Sequence, residues 1–194
     1  ETGEGGMVDL LRRHYAAGAD IPDIAPVHRL DRGTGGLMVY AKHKGAAAEL
    51  SRAMCEGCFE KEYLAVLRGV PTQQSGILRD MLFHDRRANK SFIADKPRSG
   101  VKEAVLEYRT IASLQDRALT LTHIKLHTGR THQIRVQFAS RALPLYGDGK
   151  YGGRTEKSGI ALWSYSLAFF LPDKGHLCFT VPPPDSVPWT MFAP

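Results

Sequence analysis

The stretch from His28 to Lys42, His-Arg-Leu-Asp-Arg-Gly-Thr-Gly-Gly-Leu-Met-Val-Tyr-Ala-Lys, sets a carboxylate between two arginines just before a glycine-rich turn. Asp31, flanked by Arg29 and Arg32, is expected to be held ionised at neutral pH, because nearby cations favour the charged form of a carboxylate. An ionised, positioned carboxylate can act as a nucleophile or as a base. Gly33, Gly35 and Gly36 then allow positive φ angles and close approach of another chain segment. The run Leu37 to Ala41 is apolar and short, which predicts a strand buried on both faces. Asp31 is thus expected on a tight loop feeding a core strand.

These residues resemble the signature of RluA-type pseudouridine synthases, His-Arg-Leu-Asp-x-x-Thr-Ser-Gly, with Gly35 in place of the serine. Two further segments are similar to motifs of the same family, in the same order. Lys61-Glu62-Tyr63-Leu64-Ala65-Val66 with Gly69 resembles its Lys-x-Tyr-x-Ala strand. Thr128-Gly129-Arg130-Thr131-His132-Gln133-Ile134-Arg135 resembles its Thr-Gly-Arg-x-His-Gln-Ile-Arg segment and continues to Gly147-Asp148 and Tyr151-Gly152. The family's Lys-Pro-x-Gly strand precedes these motifs and is not in the sequence, and no separate RNA-binding domain is visible.

The resemblance implies an isomerase that breaks the C1′–N1 bond of a uridine, turns the base over and rejoins it through C5. It implies no organic cofactor and no metal. Asp31 is the implied catalytic carboxylate, with attack at C1′, addition to the base and removal of a ribose proton all open to it. Tyr63 is implied to stack on the target base, and Arg130 to pair with the aspartate. Arg29 is implied to enter the place that a flipped uridine vacates, where a planar guanidinium can stack and meet phosphate. Leu30 and Ile134 are expected to line the pocket. Arg135, five residues beyond Arg130, is assigned to another helix face and to a structural or phosphate-binding role.

Other chemistries find less support in the residues. Cys55-Glu56-Gly57-Cys58 could be half a zinc site or a redox pair, but Cys178 is the only other cysteine and the histidines lack ligand spacing. The glycine clusters lack the phosphate-loop pattern, and neither Ser164 nor Ser166 lies in a nucleophile elbow. A glycoside hydrolase would want a second carboxylate in its own motif. The alternative from another class is a non-catalytic RNA-binding or RNA-chaperone module on the same fold.

Composition agrees with an RNA partner. Lys and Arg number 26 against 20 Asp and Glu, a net charge of +6, which favours a polyanion. Arg29, Arg32, Arg86, Arg87, Lys96, Arg98 and Arg135 are the RNA-contact candidates. Ribosomal RNA is placed ahead of transfer RNA. With 194 residues, 43% hydrophobic and 24% charged, the chain suits one globular catalytic domain over residues 1–194, a monomer. The odd cysteine count fits a reducing cytoplasm, and no apolar run is long enough for a membrane helix.

The elements expected to position these residues make an α+β domain with a mixed, largely antiparallel sheet and flanking helices. Helices are predicted over 7–15, ending near Gly18, over 44–54, and over 132–140 with Ile134 and Phe138 inward. Strands are predicted over 59–67, 104–112, 119–126, 160–171 and 176–181. Residues 72–100 read as loops with a β-excursion, either a solvated hairpin surface or a patch that tracks RNA phosphates.

Overall fold

The structure, a computed structural model, describes residues 6–16, 23–96, 98–152 and 154–192. The expected helix stop at Gly18 lies outside them. The described chain forms three α-helices, α1 (Met7–Tyr15), α2 (Lys44–Cys55) and α3 (Gln133–Ala139). Its strands are β1 (Ala25–Pro26), β2 (Gly35–Gly36), β3 (Tyr40–Ala41), β4 (Phe59–Arg68), β5 (Ser75–Asp85), β6 (Lys90–Ile93), β7 (Val101–Leu114), β8 (Leu119–Leu126), β9 (Leu162–Leu171) and β10 (Gly175–Thr180). An eight-stranded sheet runs in the order β10-β9-β4-β8-β7-β5-β6, with β2 beside β9. The fold is α+β with a largely antiparallel sheet, as the residue patterns indicate. None of its helices is long and apolar enough to cross a membrane among the described residues.

The chain divides into two compact units. The first comprises residues 1–30, 38–59 and 168–178. Here β1 pairs antiparallel with β3, Ala25 opposite Ala41. His28 Nε2 accepts the Val39 N–H at 3.2 Å, which fixes the chain just before the aspartate loop. His43 caps α2 by accepting the Ala46 N–H at 3.1 Å, and Leu50 and Ala53 bury one side of that helix. Phe59 stacks on Phe169, with ring centroids 5.1 Å apart.

The second unit comprises residues 31–37, 60–167 and 179–194. The β7–β8 pair is antiparallel across a short 3₁₀ turn over Gln115–Arg117. In β7, Leu106 and Tyr108 are buried while Glu107 and Arg109 face solvent, the alternation of a half-wet strand. Residues 75–85 form a longer strand than a loop-rich reading suggests. β5 pairs along most of its length with β7 and at its end with β6. Leu78 and Leu82 are buried on one face, on which the half-buried Asp80 accepts from Gln137 of α3, while Ile77, Arg79 and Met81 are exposed on the other. Helix α3 packs on β5 and β6, where Val136 and Ala139 meet Leu82, Ala104, Ile93 and Tyr151. Phe138 meets Tyr108 edge to face at 5.5 Å.

The predicted continuous strand over 37–41 does not form. Gly35 and Gly36 pair parallel with Trp163 and Ser164, whereas Tyr40 and Ala41 pair with Pro26 and Ala25. Of the apolar run only Tyr40 and Ala41 lie in a strand, while Leu37 keeps a single backbone bond to the Ser164 carbonyl at 2.9 Å. Its residues 37–40 are only half-buried.

The glycines ahead of that run have distinct reasons. Gly36 has φ +104°, and a Cβ there would lie 2.7 Å from the backbone nitrogen of Ser164. Gly35 needs no positive φ. A Cβ at Gly35 would come 2.8 Å from the Trp163 ring, so the serine of the family signature has no room beside this tryptophan. Gly36→Ala combines a strained backbone with a clash against backbone, and is expected to cost about 2–4 kcal/mol of stability. A urea unfolding curve matching the parent protein would contradict this account of the turn.

Candidate active site

The second unit gathers a chemically dense group around the start of α3. The chain enters through the turn Thr128-Gly129-Arg130, which Gln133 holds in place. Its Oε1 accepts from the Arg130 N–H at 3.0 Å and from Thr128 Oγ1 at 2.8 Å, and its Nε2 donates to the Val105 carbonyl at 3.1 Å. His132 then takes a left-handed conformation, φ +56°, and reverses the chain into the helix. The next six residues, Gln133 to Phe138, are all buried. A helix buried on every side presents no solvent face on which to dispose a phosphate-binding arginine.

Arg135 is accordingly an internal residue, its side chain 5% exposed. Its Nε and Nη2 donate to the two oxygens of Asp148 at 2.7 and 2.8 Å, a bidentate pair, and the Asp148 side chain is fully buried. The Tyr151 ring lies 5.1 Å from the guanidinium carbon. Arg135 Nη1 is turned to Asp31, 3.7 Å from Oδ2. That distance is too long for a hydrogen bond, so Asp31 is electrostatically paired while its lone pairs are left for another partner. Burial alone would push Arg135 down, but the hydrogen bonds and charge of Asp148, with Asp31 behind them, outweigh burial and hold it above its ordinary value.

This corrects two sequence-based assignments. The guanidinium facing Asp31 belongs to Arg135 rather than Arg130, and Arg135 is neither exposed nor on an outer helix face. Arg130 precedes the helix. Its Nε donates to the Glu103 carbonyl at 2.8 Å. The argument from helix faces fails because only one of the two arginines is helical. Arg32, next to Asp31 in sequence, is exposed and has no ion-pair partner among the described residues, so it does not supply the positive charge beside the aspartate.

Tyr63 on β4 is 6% exposed. Burial pushes its phenol up to about 12, a nearby Ser164 opposes the shift, and the charge of Asp31 adds to it. The phenol is therefore neutral at physiological pH. Ser164 Oγ lies near enough to act on Tyr63, yet by hydrogen-bond geometry it is buried without a partner among the described residues. Thr34 Oγ1 is in the same condition, in the turn where the Thr34 N–H donates to the Asp31 carbonyl at 2.9 Å. Of this group the Asp31 carboxylate, 18% exposed and facing a fixed guanidinium, is the part open to a ligand, with the neutral Tyr63 phenol behind it.

His132 and Tyr151 complete the group and were not singled out by type or spacing. Tyr151 lies on a short 3₁₀ turn over Gly149–Tyr151. Its hydroxyl accepts the Ser91 N–H at 2.7 Å and meets His132 Nδ1 at 2.9 Å. With the phenol oxygen already accepting, its own hydrogen is free for Nδ1. Ile134 is buried at 4% exposure. Arg29 and Leu30 belong to the first unit, the former exposed and the latter half-buried. Arg86, Arg87, Lys96 and Arg98 are exposed, and Arg98 lies 4.1 Å over the Phe83 ring. Among the described residues no group of His, Cys, Asp or Glu is placed to hold a metal ion, and Cys55, Cys58 and Cys178 are exposed and form no disulfide.

His132 gives a pH signature. Burial lowers its pKa first, Asp31 opposes, and Arg135, Lys150 and His84 reinforce the lowering. A histidine lowered from 6.5 in the folded state contributes stability that is present above 6.5 and lost as pH falls through the folded value. Stability measured by urea unfolding should thus begin to fall as pH drops through about 6.5 and keep falling until the folded imidazole protonates, and it should fall less in His132→Asn, which tolerates the left-handed backbone. Equal losses in both proteins would remove His132 as the source.

Comparison with known proteins places the chain in a family. Residues 8–140 match the family model described as RNA pseudouridylate synthase. The chain is 34% identical over 198 residues to an uncharacterized RNA pseudouridine synthase of Aquifex aeolicus, covering 94% of this chain and 61% of that protein. It is 39% identical over 150 residues to the ribosomal large subunit pseudouridine synthase D of Pasteurella multocida, covering 77% of this chain and 44% of that protein. The chain thus spans about half the length of such relatives. The solved structure of human RNA pseudouridylate synthase domain containing 1 superposes with a TM-score of 0.70 at 25% identity, over 84% of this chain and 69% of that one. Human RNA pseudouridylate synthase domain containing 4 shares the fold, with a TM-score of 0.77 at 21% identity over 94% and 81% of the two chains. With residues 8–140 matching the family model and 94% of the chain aligned at 34% identity to a relative, the chain belongs to the RNA pseudouridylate synthase family.

Proposed function

We propose that this protein converts specific uridines of structured RNA to pseudouridine, acting in the cytoplasm as a monomer without a cofactor. The observation that carries the reading is the Asp31 carboxylate held 3.7 Å from a guanidinium that Asp148 has already locked in place. The reaction is an isomerisation in which C1′–N1 breaks, C1′–C5 forms, N1 takes up a proton and C5 loses one. A carboxylate can serve as the group that captures or stabilises the detached sugar or base, as in glycoside hydrolysis. Arg135 balances its charge, and the neutral phenol of Tyr63 is suited to lie against the base and to exchange a proton at C5. Arg29 is assigned to the space left by the flipped uridine, with Arg32 on the RNA backbone.

Large-subunit ribosomal RNA is the substrate we favour over transfer RNA, supported by the similarity to the Pasteurella multocida enzyme of that name. The non-catalytic RNA-binding alternative is less favoured. A buried Arg135–Asp148 pair aimed at a partly exposed carboxylate is costly to build and serves no purpose in binding RNA alone.

The test is incubation with total RNA from a strain lacking the gene, followed by carbodiimide primer-stop mapping of pseudouridine. New stops at one or a few uridines in large-subunit ribosomal RNA are expected with the protein and should disappear with Asp31→Ala, which should still bind RNA. Stops that persist with Asp31→Ala would take the aspartate out of the mechanism, and RNA binding with no stops would favour the non-catalytic reading.

A further inference from the structure

Beside the candidate active site the second unit holds a cavity of 670 Å³ that catalysis, as set out above, does not use. Its walls include Phe83 and His84 from β5, Arg86 and Arg87 from the β5–β6 turn, Lys102 from β7 and Arg130 from the turn before α3. The volume lies within the range of roughly 300–1,000 Å³ typical of small-molecule pockets.

The charge in this cavity is unbalanced. Among the described residues Arg86, Arg87, Lys102 and Arg130 have no ion-pair partner, although other cations on the same strands do, as in Arg79 with Glu103. The one carboxylate in the wall, Asp85, is occupied in capping the turn, where it accepts the N–H groups of Arg87 and Ala88 at 2.8 and 3.1 Å. Arg130 is pre-oriented, since its Nε is tied to the Glu103 carbonyl while its Nη atoms have no partner among the described residues. Ordering a guanidinium in advance reduces the entropy lost when it binds an anion.

The wall also carries features that an anion alone would not need. Phe83 contributes a half-buried aromatic ring with Arg98 over one face, so that a base meets it by its edge or by displacing that guanidinium. Ser91 Oγ donates to the Thr131 carbonyl at 2.6 Å, so toward His84 Nδ1, 3.2 Å away, it can only accept. Nδ1 of His84 therefore carries the hydrogen, and Nε2 of the neutral ring is an acceptor. An aromatic wall with one acceptor suits a nucleobase, and the four cations suit its phosphates.

The cavity is joined to the active centre by direct contacts. The His84 ring meets the His132 ring edge-on at 6.2 Å, and Ser91 donates to the Tyr151 hydroxyl. Tyr151 lies under the guanidinium of Arg135, which faces Asp31. We propose that this cavity is a second nucleotide site, taking a nucleotide of the substrate RNA that flanks the uridine to be isomerised, with its phosphates on Arg86, Arg87 and Arg130 and its base against Phe83 and His84. The proposal rests on the reading of this chain as an enzyme acting on RNA and adds to it a place where neighbouring sequence can be sensed.

The test uses the whole ¹⁵N-labelled chain, single-stranded uridine hexanucleotide RNA as the probe, and inorganic phosphate at matched ionic strength as the control. RNA should shift the amide signals of Gly100, Gly129 and Thr131, which border the cavity. The Arg86→Ala/Arg87→Ala protein should bind the hexanucleotide about tenfold more weakly. Its log affinity should fall less steeply with log salt, by a slope of about 1.4, for two lost contacts to a single strand. Equal shifts with phosphate alone, RNA shifts that bypass these amides, or an unchanged salt slope would each overturn the proposal. Pseudouridine formation is scored separately. Product formed with cavity amides unmoved by RNA overturns the second site and keeps the enzyme, whereas cavity amides that move with no product formed on any RNA overturn the enzyme and, with it, the flanking-nucleotide role, leaving an RNA-binding cavity.

Discussion

The buried pair of Arg135 and Asp148 is the constraint on which the candidate active site depends. Isolated, either charge would be expensive in a helix with no exposed side, and removal of one member of such a pair costs about 3–5 kcal/mol. The bidentate geometry resolves this by satisfying Nε and Nη2 with one carboxylate. It also fixes where the remaining nitrogen points. Nη1 is turned to Asp31, whose side chain is 18% exposed and can still meet a substrate. One carboxylate anchors the arginine and the second is presented by it, and the difference between 2.7 and 3.7 Å separates these roles.

The aspartate is held from its own side by backbone rather than by charge. The turn closed by Thr34 N–H and the Asp31 carbonyl leads into Gly36, which must lie flat against Ser164 for the two-residue β2 to pair with β9. The Leu37 N–H donates to the Ser164 carbonyl at 2.9 Å and extends this attachment. Ser164 thus serves the loop with its backbone while its buried hydroxyl faces the neighbourhood of Tyr63. Glycine at 36 is a condition for placing Asp31, not a sign of a flexible loop.

Much of this was legible in the residues, and the limits have physical causes. The helices at 7–15 and 44–55 are amphipathic and bounded by capping or breaking residues, so local pattern locates them. The antiparallel pairing of β7 with β8 follows from two alternating runs around a short polar turn. Asp31 and Tyr63 stand out because their motifs are unusual. Arg130 and Arg135 could not be told apart, because which arginine reaches an aspartate about a hundred residues away depends on where the helix begins and on the left-handed His132. Nothing local marks Asp148 as the buried anchor or Tyr151 as the ring beneath it, since both act through tertiary contacts. The run 37–41 misled for a related reason. Hydrophobicity shows that a segment is sheltered, but not that its two ends are sheltered by different strands.

The central claim is that Arg135, and not Arg130, supports Asp31. It is tested most directly by single-turnover pseudouridine formation at saturating RNA with Arg135→Lys and Arg130→Lys, each verified as folded by circular dichroism. Lysine keeps the charge but cannot hold Asp148 in two places and face Asp31 with a third nitrogen. Arg135→Lys should slow conversion by about a hundredfold or more, the scale for loss of one fixed electrostatic contact in an active site. Arg130→Lys should keep close to the parent rate once RNA is saturating, its altered phosphate contact showing as weaker RNA binding rather than slower conversion. The opposite ranking, with Arg130→Lys inactive and Arg135→Lys unimpaired, would contradict the account.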